Sequence, residues 1–272
     1  MVDAASSVKA HAAQRKLHMC GRYLILSSAE AFRRLFGYRE EPSFPPRYNV
    51  APTQPVPIVR MREGARQFAL VRWGLIPPWV EDPRRFSLIV NARAESVNDK
   101  PAFRNAMRRR RCLFPADGFY EWRDDGGRKR PFCVRPKDRA PIAFAGLWES
   151  WMGPNGEEME TAAIVTTTAN RDLAALHPRM PAIIPAHAFD PWLDCAKVDA
   201  LTATALLDPA PDGLLEAYEI SPAVNRTAND GPALIEPVAA EPSPVTAEPS
   251  AAMRRKPAKV KDERQPSLFD DL

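Results

Sequence analysis

Hairpin turns recur along this chain without a regular strand–helix–strand alternation, and that pattern restricts it to a fold dominated by antiparallel sheet. Phe119 to Arg123 and Pro131 to Arg135 flank Asp124-Asp125-Gly126-Gly127, whose glycines suit a tight β-turn. Ile142 to Trp151 and Glu158 to Thr168 flank Gly153-Pro154-Asn155-Gly156, and Val56 to Met61 and Gln67 to Trp73 flank Glu63-Gly64. Each pair predicts two strands joined directly. Helical patterns are few and short. Ser27 and Glu30 make a capping box for a helix through Phe36, closed by Gly37. Asp99 is placed to cap a helix over Pro101 to Arg110, and Asn170 to cap another short one. A further helical stretch is expected near His187 to Leu193. The expected class is α+β.

Composition divides the chain into three parts. Residues 1–18 are small, polar and basic without periodicity; residues 19–238 alternate apolar runs with turns; residues 239–272 are rich in Ala, Pro, Glu, Lys and Arg. Only the middle part has enough to bury, so the first and last are expected to be disordered. No apolar run approaches the length of a membrane span, and the first 18 residues lack the apolar segment of a signal peptide. The four cysteines, Cys20, Cys112, Cys133 and Cys195, form no CxxC pair. That spacing argues against a zinc ribbon and against a secreted disulfide framework, and favours a reducing, cytoplasmic setting with no metal and no cofactor. A net charge of +4 permits nucleic-acid binding without requiring it.

Cys20 follows Met19 and precedes Gly21-Arg22. If Met19 is a start codon and is removed, Cys20 carries a thiol and a free α-amine on adjacent carbons. Their ordinary pKa values, about 8.5 and about 7.7–8.0, leave both partly deprotonated near neutrality. Such a pair captures aldehydes: the amine forms an imine, the thiol adds, and a thiazolidine ring closes. The chain as written starts at Met1, so the favoured reading is that translation begins at Met19, with cleavage of residues 1–18 as the alternative.

Other residues could serve the same chemistry. His177 sits in the proline-stiffened segment Leu176-His177-Pro178-Arg179-Met180-Pro181, as an acid, base or phosphate ligand or as a plain loop histidine. Glu121 lies among aromatics in Phe119-Tyr120-Glu121-Trp122. Burial there would raise its pKa into the range of a general acid, whereas an edge-strand position would leave it in water. Asn91-Ala92-Arg93-Ala94-Glu95, just past an apolar strand, offers an amide and a guanidinium suited to a phosphate. Trp73 and Trp79 on a proline-rich loop near Arg84-Arg85, and the run Arg108 to Arg111, are candidates for stacking bases and tracking phosphates. Core packing and a solvated helix end are their bland counterparts. His187 is expected to be structural.

Taken in order, six blocks closely resemble the SOS response-associated peptidase (SRAP) family of abasic-site processing proteins. They are Met19 to Tyr23, Arg47 to Gln54, Arg72 to Pro77, Asn91 to Glu95, Pro115 to Trp122 and His177 to Pro181. The resemblance, spanning about Cys20 to Val238, implies a β-rich, barrel-like core of mostly antiparallel strands with flanking helices. It implies that Cys20 forms a thiazolidine with the ring-opened sugar of an abasic site in single-stranded DNA. It further implies that Asn91 orients that cysteine, Glu121 assists ring opening, and His177 assists imine chemistry and reversal. Arg22, Asn49, Trp73, Arg93 and Arg179 are then the DNA contacts. The family name also implies a thiol (auto)peptidase activity, and a lyase-type step is a further possibility.

In the tail, Gln265-Pro266-Ser267-Leu268-Phe269 resembles the peptide by which bacterial repair proteins dock on the DNA sliding clamp, with Gln265, Leu268 and Phe269 as anchors. Two other functions stay open from the residues alone: a cysteine peptidase acting on proteins, and a non-covalent single-strand binding module. Cytoplasmic, nucleoid-associated localisation follows from the DNA reading.

Overall fold

Five strands pair edge to edge into a closed ring in the computed structural model, which describes residues 21–238. In chain order the strands are β1 (Tyr23–Ile25), β2 (Arg47–Val50), β3 (Pro55–Arg62), β4 (Ala65–Trp73), β5 (Asn91–Arg93) and β6 (Arg111–Ala116). They continue as β7 (Gly118–Asp125), β8 (Arg128–Pro136), β9 (Ile142–Met152), β10 (Glu158–Thr168), β11 (Arg179–Pro181) and β12 (Leu215–Glu219). The helices are α1 (Ala29–Phe36), α2 (Pro101–Arg109), α3 (Phe189–Leu193) and α4 (Ala200–Thr204).

The ring runs β10-β4-β3-β6-β9 and back to β10. Closure removes the open edges at which sheets aggregate. A second, antiparallel sheet, β12-β8-β7-β1-β2, packs against it. One residue, Asp117, separates β6 of the ring from β7 of the second sheet, so the chain turns a corner there. The corner is fixed by hydrogen bonds. Asp117 accepts from the amides of Leu26 and Ser27 and from the Ser27 hydroxyl, tying β6–β7 to the end of β1. Aromatic rings from both sheets meet in the core: Tyr23 packs edge-on against Trp73 at 5.3 Å and Phe144 at 6.1 Å between centroids. The expected fold class, a barrel-like α+β core with flanking helices, is what the structure has.

All three expected hairpins form, β3–β4, β7–β8 and β9–β10. Between β7 and β8, Gly126 and Gly127 take φ of 62° and 95°, which side-chain-bearing residues rarely adopt, and Asp125 pairs with Arg128 across them. Local helix chemistry differs from expectation in three places. The N-cap of α1 is Ser28, whose hydroxyl accepts from the Ala31 amide, because Ser27 is committed to Asp117. The N-cap position of α2 is Lys100, with no side-chain cap, so Asp99 does not serve. Asn170 starts turns rather than a helix; its buried amide donates to the carbonyls of Ala210 and Pro211. The stretch near His187 is a single 3-10 turn, Ala186–Ala188, running into α3.

The second half of the arginine run at the end of α2 is structural. Arg111 is 1% exposed, and its guanidinium donates to the carbonyls of Met107, Trp192, Asp194 and Val198. The Met107, Trp192 and Asp194 carbonyls lie at the C-terminal ends of α2 and α3, where partial negative charge suits a cation. Arg110 pairs with Glu149 at 2.7 Å. Only Arg108 and Arg109 are exposed. Among the described residues, no helix is long and apolar enough to cross a membrane.

Candidate functional site

Antiparallel pairing of β1 with β7 sets where the described chain begins. Tyr23 lies opposite Phe119 and Leu24 opposite Gly118, and the Tyr120 amide donates to the Arg22 carbonyl. Carried one step toward the N terminus, that register sets Gly21 beside Glu121. Cys20 and the residues before it lie outside the described residues.

Glu121 is 3% exposed, in β7, opposite Phe132 of β8. His177, 7% exposed, is in the loop that leads into β11. Its Nδ1 lies 4.0 Å from Glu121 Oε1, so the pair bridges the second sheet and the β11 side of the ring. The same Nδ1 lies 3.1 Å from both the amide N and the carbonyl O of Arg179. With Nδ1 unprotonated it accepts from the amide; protonated, it can donate to the carbonyl or toward Glu121. A carboxyl and an imidazole removed together from water can exchange a proton with a third group brought between them. The open question about Glu121 is thereby answered in favour of burial, and His177 is buried in its loop where a surface position was the bland expectation.

Asn91 opens β5, opposite Ile164 of β10. β5 runs parallel to β10, and β11 flanks the end of β10 by antiparallel pairing, with Thr168 opposite Arg179. The end of β10 therefore carries Asn91 and Arg93 on one side and the His177–Arg179 segment on the other. Arg179 spans the gap: it pairs with Glu95, just past β5, and donates to Thr166 O of β10. That Arg179 bond holds the Glu95 carboxyl below the usual carboxylate range. Arg93 is exposed.

The remaining expected DNA contacts divide. Arg22 is half-buried and donates to Asn49 Oδ1 at 2.8 Å and to the carbonyls of Val224 and Asn225. Asn49 is 2% exposed, and its amide donates to Val224 O, Arg226 O and Asn229 O. Together they clamp the segment after β12 to the second sheet. Trp73 is fully buried, donates Nε1–H to Val90 O at 3.0 Å and packs on Tyr23. It has no surface to offer a base, which corrects the expectation for it and leaves Asn49 a scaffold residue. The exposed aromatic is Trp79, 54% exposed on Pro77-Pro78. Its loop, between β4 and β5, is anchored by a small separate core of Ile76, Val80 and Trp151, with Trp151 Nε1 donating to Val80 O. Trp73 and Trp79 share a proline-rich stretch, and only strand register tells them apart. Trp122, next to Glu121, is half-buried with its Nε1 donating to Asn225 Oδ1.

Burial pushes the Cys112 thiol well up and the Cys133 thiol to about 11, so neither supplies a thiolate near neutrality. His187 is exposed, away from the Glu121–His177 pair in sequence and on its own turn. Among the described residues no three His, Cys, Asp or Glu side chains gather as a metal site would need.

Residues 19–227 match the family model described as SOS response associated peptidase (SRAP). The chain is 37% identical over 222 residues to the abasic site processing protein YoqW of Bacillus subtilis (strain 168), covering 80% of this chain and 99% of that protein. It is 29% identical over 264 residues to the abasic site processing protein HMCES of Gallus gallus, covering 81% and 78%. A crystal structure of a Bacteroides thetaiotaomicron protein superposes with a TM-score of 0.72 at 26% identity, over 81% of this chain and all of that one.

Proposed function

The chain belongs to the SOS response associated peptidase family, and from that premise we propose that it recognises abasic sites in single-stranded DNA and captures them covalently through Cys20. The observation that carries the proposal is the buried Glu121–His177 pair beside the start of the described chain. An abasic sugar is mostly a closed hemiacetal. Glu121 donates a proton to the ring oxygen as the C1–oxygen bond breaks, and the anomeric hydroxyl gives up its proton to His177, leaving the aldehyde; return of that proton from His177 to Glu121 restores the pair. The Cys20 α-amine then adds to the aldehyde carbon, and loss of one water gives the imine. The Cys20 thiol adds to that carbon, its proton passing to the nitrogen, and the thiazolidine closes. His177 moves the protons of the carbinolamine and imine steps, and Asn91 orients the Cys20 amine. The balance is protein plus aldehyde going to adduct plus one water.

This chemistry needs a free amine on Cys20, so residues 1–19 must be absent or removed in the active form, by initiation at Met19 with removal of that methionine or by thiol autoproteolysis. Arg93 and Arg179 take the phosphates next to the lesion, and Trp79 takes the base-stacking role expected of Trp73. The tail peptide Gln265, Leu268 and Phe269, outside the described residues, tethers this cytoplasmic, nucleoid-associated protein to the sliding clamp. Deleting the last eight residues should abolish clamp capture in a pull-down and leave DNA cross-linking intact; retained capture would refute the tether.

The test is a denaturing gel with abasic single-stranded DNA. Wild-type protein should shift to a species stable to denaturant and high salt, and Cys20→Ser should give none while keeping much of the reversible affinity. A non-covalent module would release the DNA, and a peptidase acting on proteins would form no DNA adduct.

A further inference from the structure

Beside the end of β10 lies a cavity of about 440 Å³, lined by Arg93, Glu95, Ser96, Lys100 and Arg179. Two buried polar atoms of its lining residues, Ser96 Oγ and Arg179 Nε, have no hydrogen-bond partner among the described residues. Lys100 is also the N-cap residue of α2, and Arg104 and Arg108 follow it at one-turn intervals, all three exposed. No ion pair holds Arg93, Lys100, Arg104 or Arg108 among the described residues. Some surface arginines elsewhere are matched to carboxylates, Arg33 to Glu30, Arg66 to Asp190, Arg130 to Glu219 and Arg135 to Glu216, while Arg39, Arg85 and Arg128 are exposed without an ion pair among the described residues but form no row of cations at one-turn spacing. Arg108 borders a cleft with Asp199, but that carboxylate is committed to the amides of Leu201 and Thr202.

The start of α2 runs against local preference. It has no side-chain cap, no acid in its first turn and a cation at the cap position, where the helix dipole favours anions. Lys100 and Arg104 add like-charge repulsion one turn apart. Polyanion bound along this face would offset all of these at once. Local rules broken in one direction, next to a cavity with unsatisfied donors, are the mark of a functional surface.

We propose that the exposed face of α2 is a phosphate track, along which the single strand leaving the Arg93–Arg179 cavity on one side of the lesion runs past Lys100, Arg104 and Arg108. The inference rests on the single-strand reading above and gives that strand a direction. One helical turn separates successive cations, a spacing of the same order as that of phosphates in an extended strand.

The experiment measures reversible binding by fluorescence anisotropy across a salt series. The probes carry a tetrahydrofuran abasic analogue, which cannot cross-link, in a short strand or in strands extended only 5′ or only 3′ of the lesion. For the double variant Arg104→Gln and Arg108→Gln, the slope of log affinity against log salt should fall by about 1.4 for one extended strand, at about 0.7 per lost contact. The other extension and the short strand should be unaffected. Unchanged slopes, equal losses on both sides, or the same loss from Arg62→Gln with Arg171→Gln would overturn the track. Adduct formation with true abasic DNA is read separately. A wild type that forms no adduct yet shows the one-sided loss sinks abasic capture and keeps the track; a wild type that binds no single strand sinks both.

Discussion

Glu121 and His177 are a carboxyl and an imidazole withdrawn from water within 4.0 Å of one another, and in the proposed reaction they carry the proton transfers that Cys20 cannot make alone. Positioned acid–base groups contribute about 10²–10⁴-fold to such steps. Glu121→Gln and His177→Ala should therefore slow adduct formation by about 10²-fold or more in quenched gel time courses, with the circular dichroism spectrum unchanged. Equal rates would place the protons elsewhere. Glu95 carries a second prediction. Its carboxyl is held low first by the Arg179 hydrogen bond, so its contribution to stability is present above the ordinary carboxylate pKa, about 4.3, and is lost as pH falls through the lowered value. Glu95→Gln should flatten that acid limb in urea titrations. It should also free Arg179 and tighten single-strand binding a few-fold at neutral pH; weaker binding would mean that Glu95 holds Arg179 in its working position. At this scale the sequence revealed residue types but not depth. Asn49, Arg22 and Arg111 read as polar surface candidates, yet each binds several backbone carbonyls distant in sequence, up to 203 positions for Arg22 with Asn225.

Among the elements, the loop between β4 and β5 shows best what pattern alone can and cannot settle. Its aromatics and prolines were legible, but the choice between Trp73 and Trp79 was not, because it depends on β4 pairing in parallel with β10, Ala162 opposite Trp73. Local hairpins could be read from Gly126-Gly127 and Glu63-Gly64; the parallel contacts of β10 with β4 and β5 link segments about ninety residues apart or less and leave no turn signature. The same reason explains the caps. Ser27 and Asp99 had the right chemistry, but Asp117 took the first, and α2 starts with Lys100 in place of the second. Trp79→Ala should weaken single-strand binding by about 1–3 kcal/mol for the base it stacks, without moving the thermal midpoint. Trp73→Ala should instead cost about 3–5 kcal/mol of stability, seen in denaturant melts. The reverse assignment of effects would return Trp73 to the DNA surface.

For the whole molecule, ring closure by β9 and β10 explains how a single core supports the proposed site, drawn from four separate segments. β10 is the common wall: β5 brings Asn91 and Arg93, β11 brings Arg179 behind His177, and the second sheet, hinged at Asp117, brings Glu121 and the start of β1. Asp117→Ala should loosen that assembly by about 1–3 kcal/mol, since two amides and a hydroxyl lose their acceptor. It should lower adduct yield only as far as it unfolds the protein. Of the sequence blocks, Asn91 to Glu95 and His177 to Pro181 flank β10 from its two sides, through pairings that leave no local turn signature. The most direct test is intact mass spectrometry, under denaturing conditions, of the protein expressed from its own reading frame and mixed with abasic single-stranded DNA. The expected result is a chain beginning at Cys20 and an adduct weighing the protein plus the oligonucleotide less one water. A chain that retains Met1 and still forms that adduct, or a chain starting at Cys20 that forms none, would contradict it.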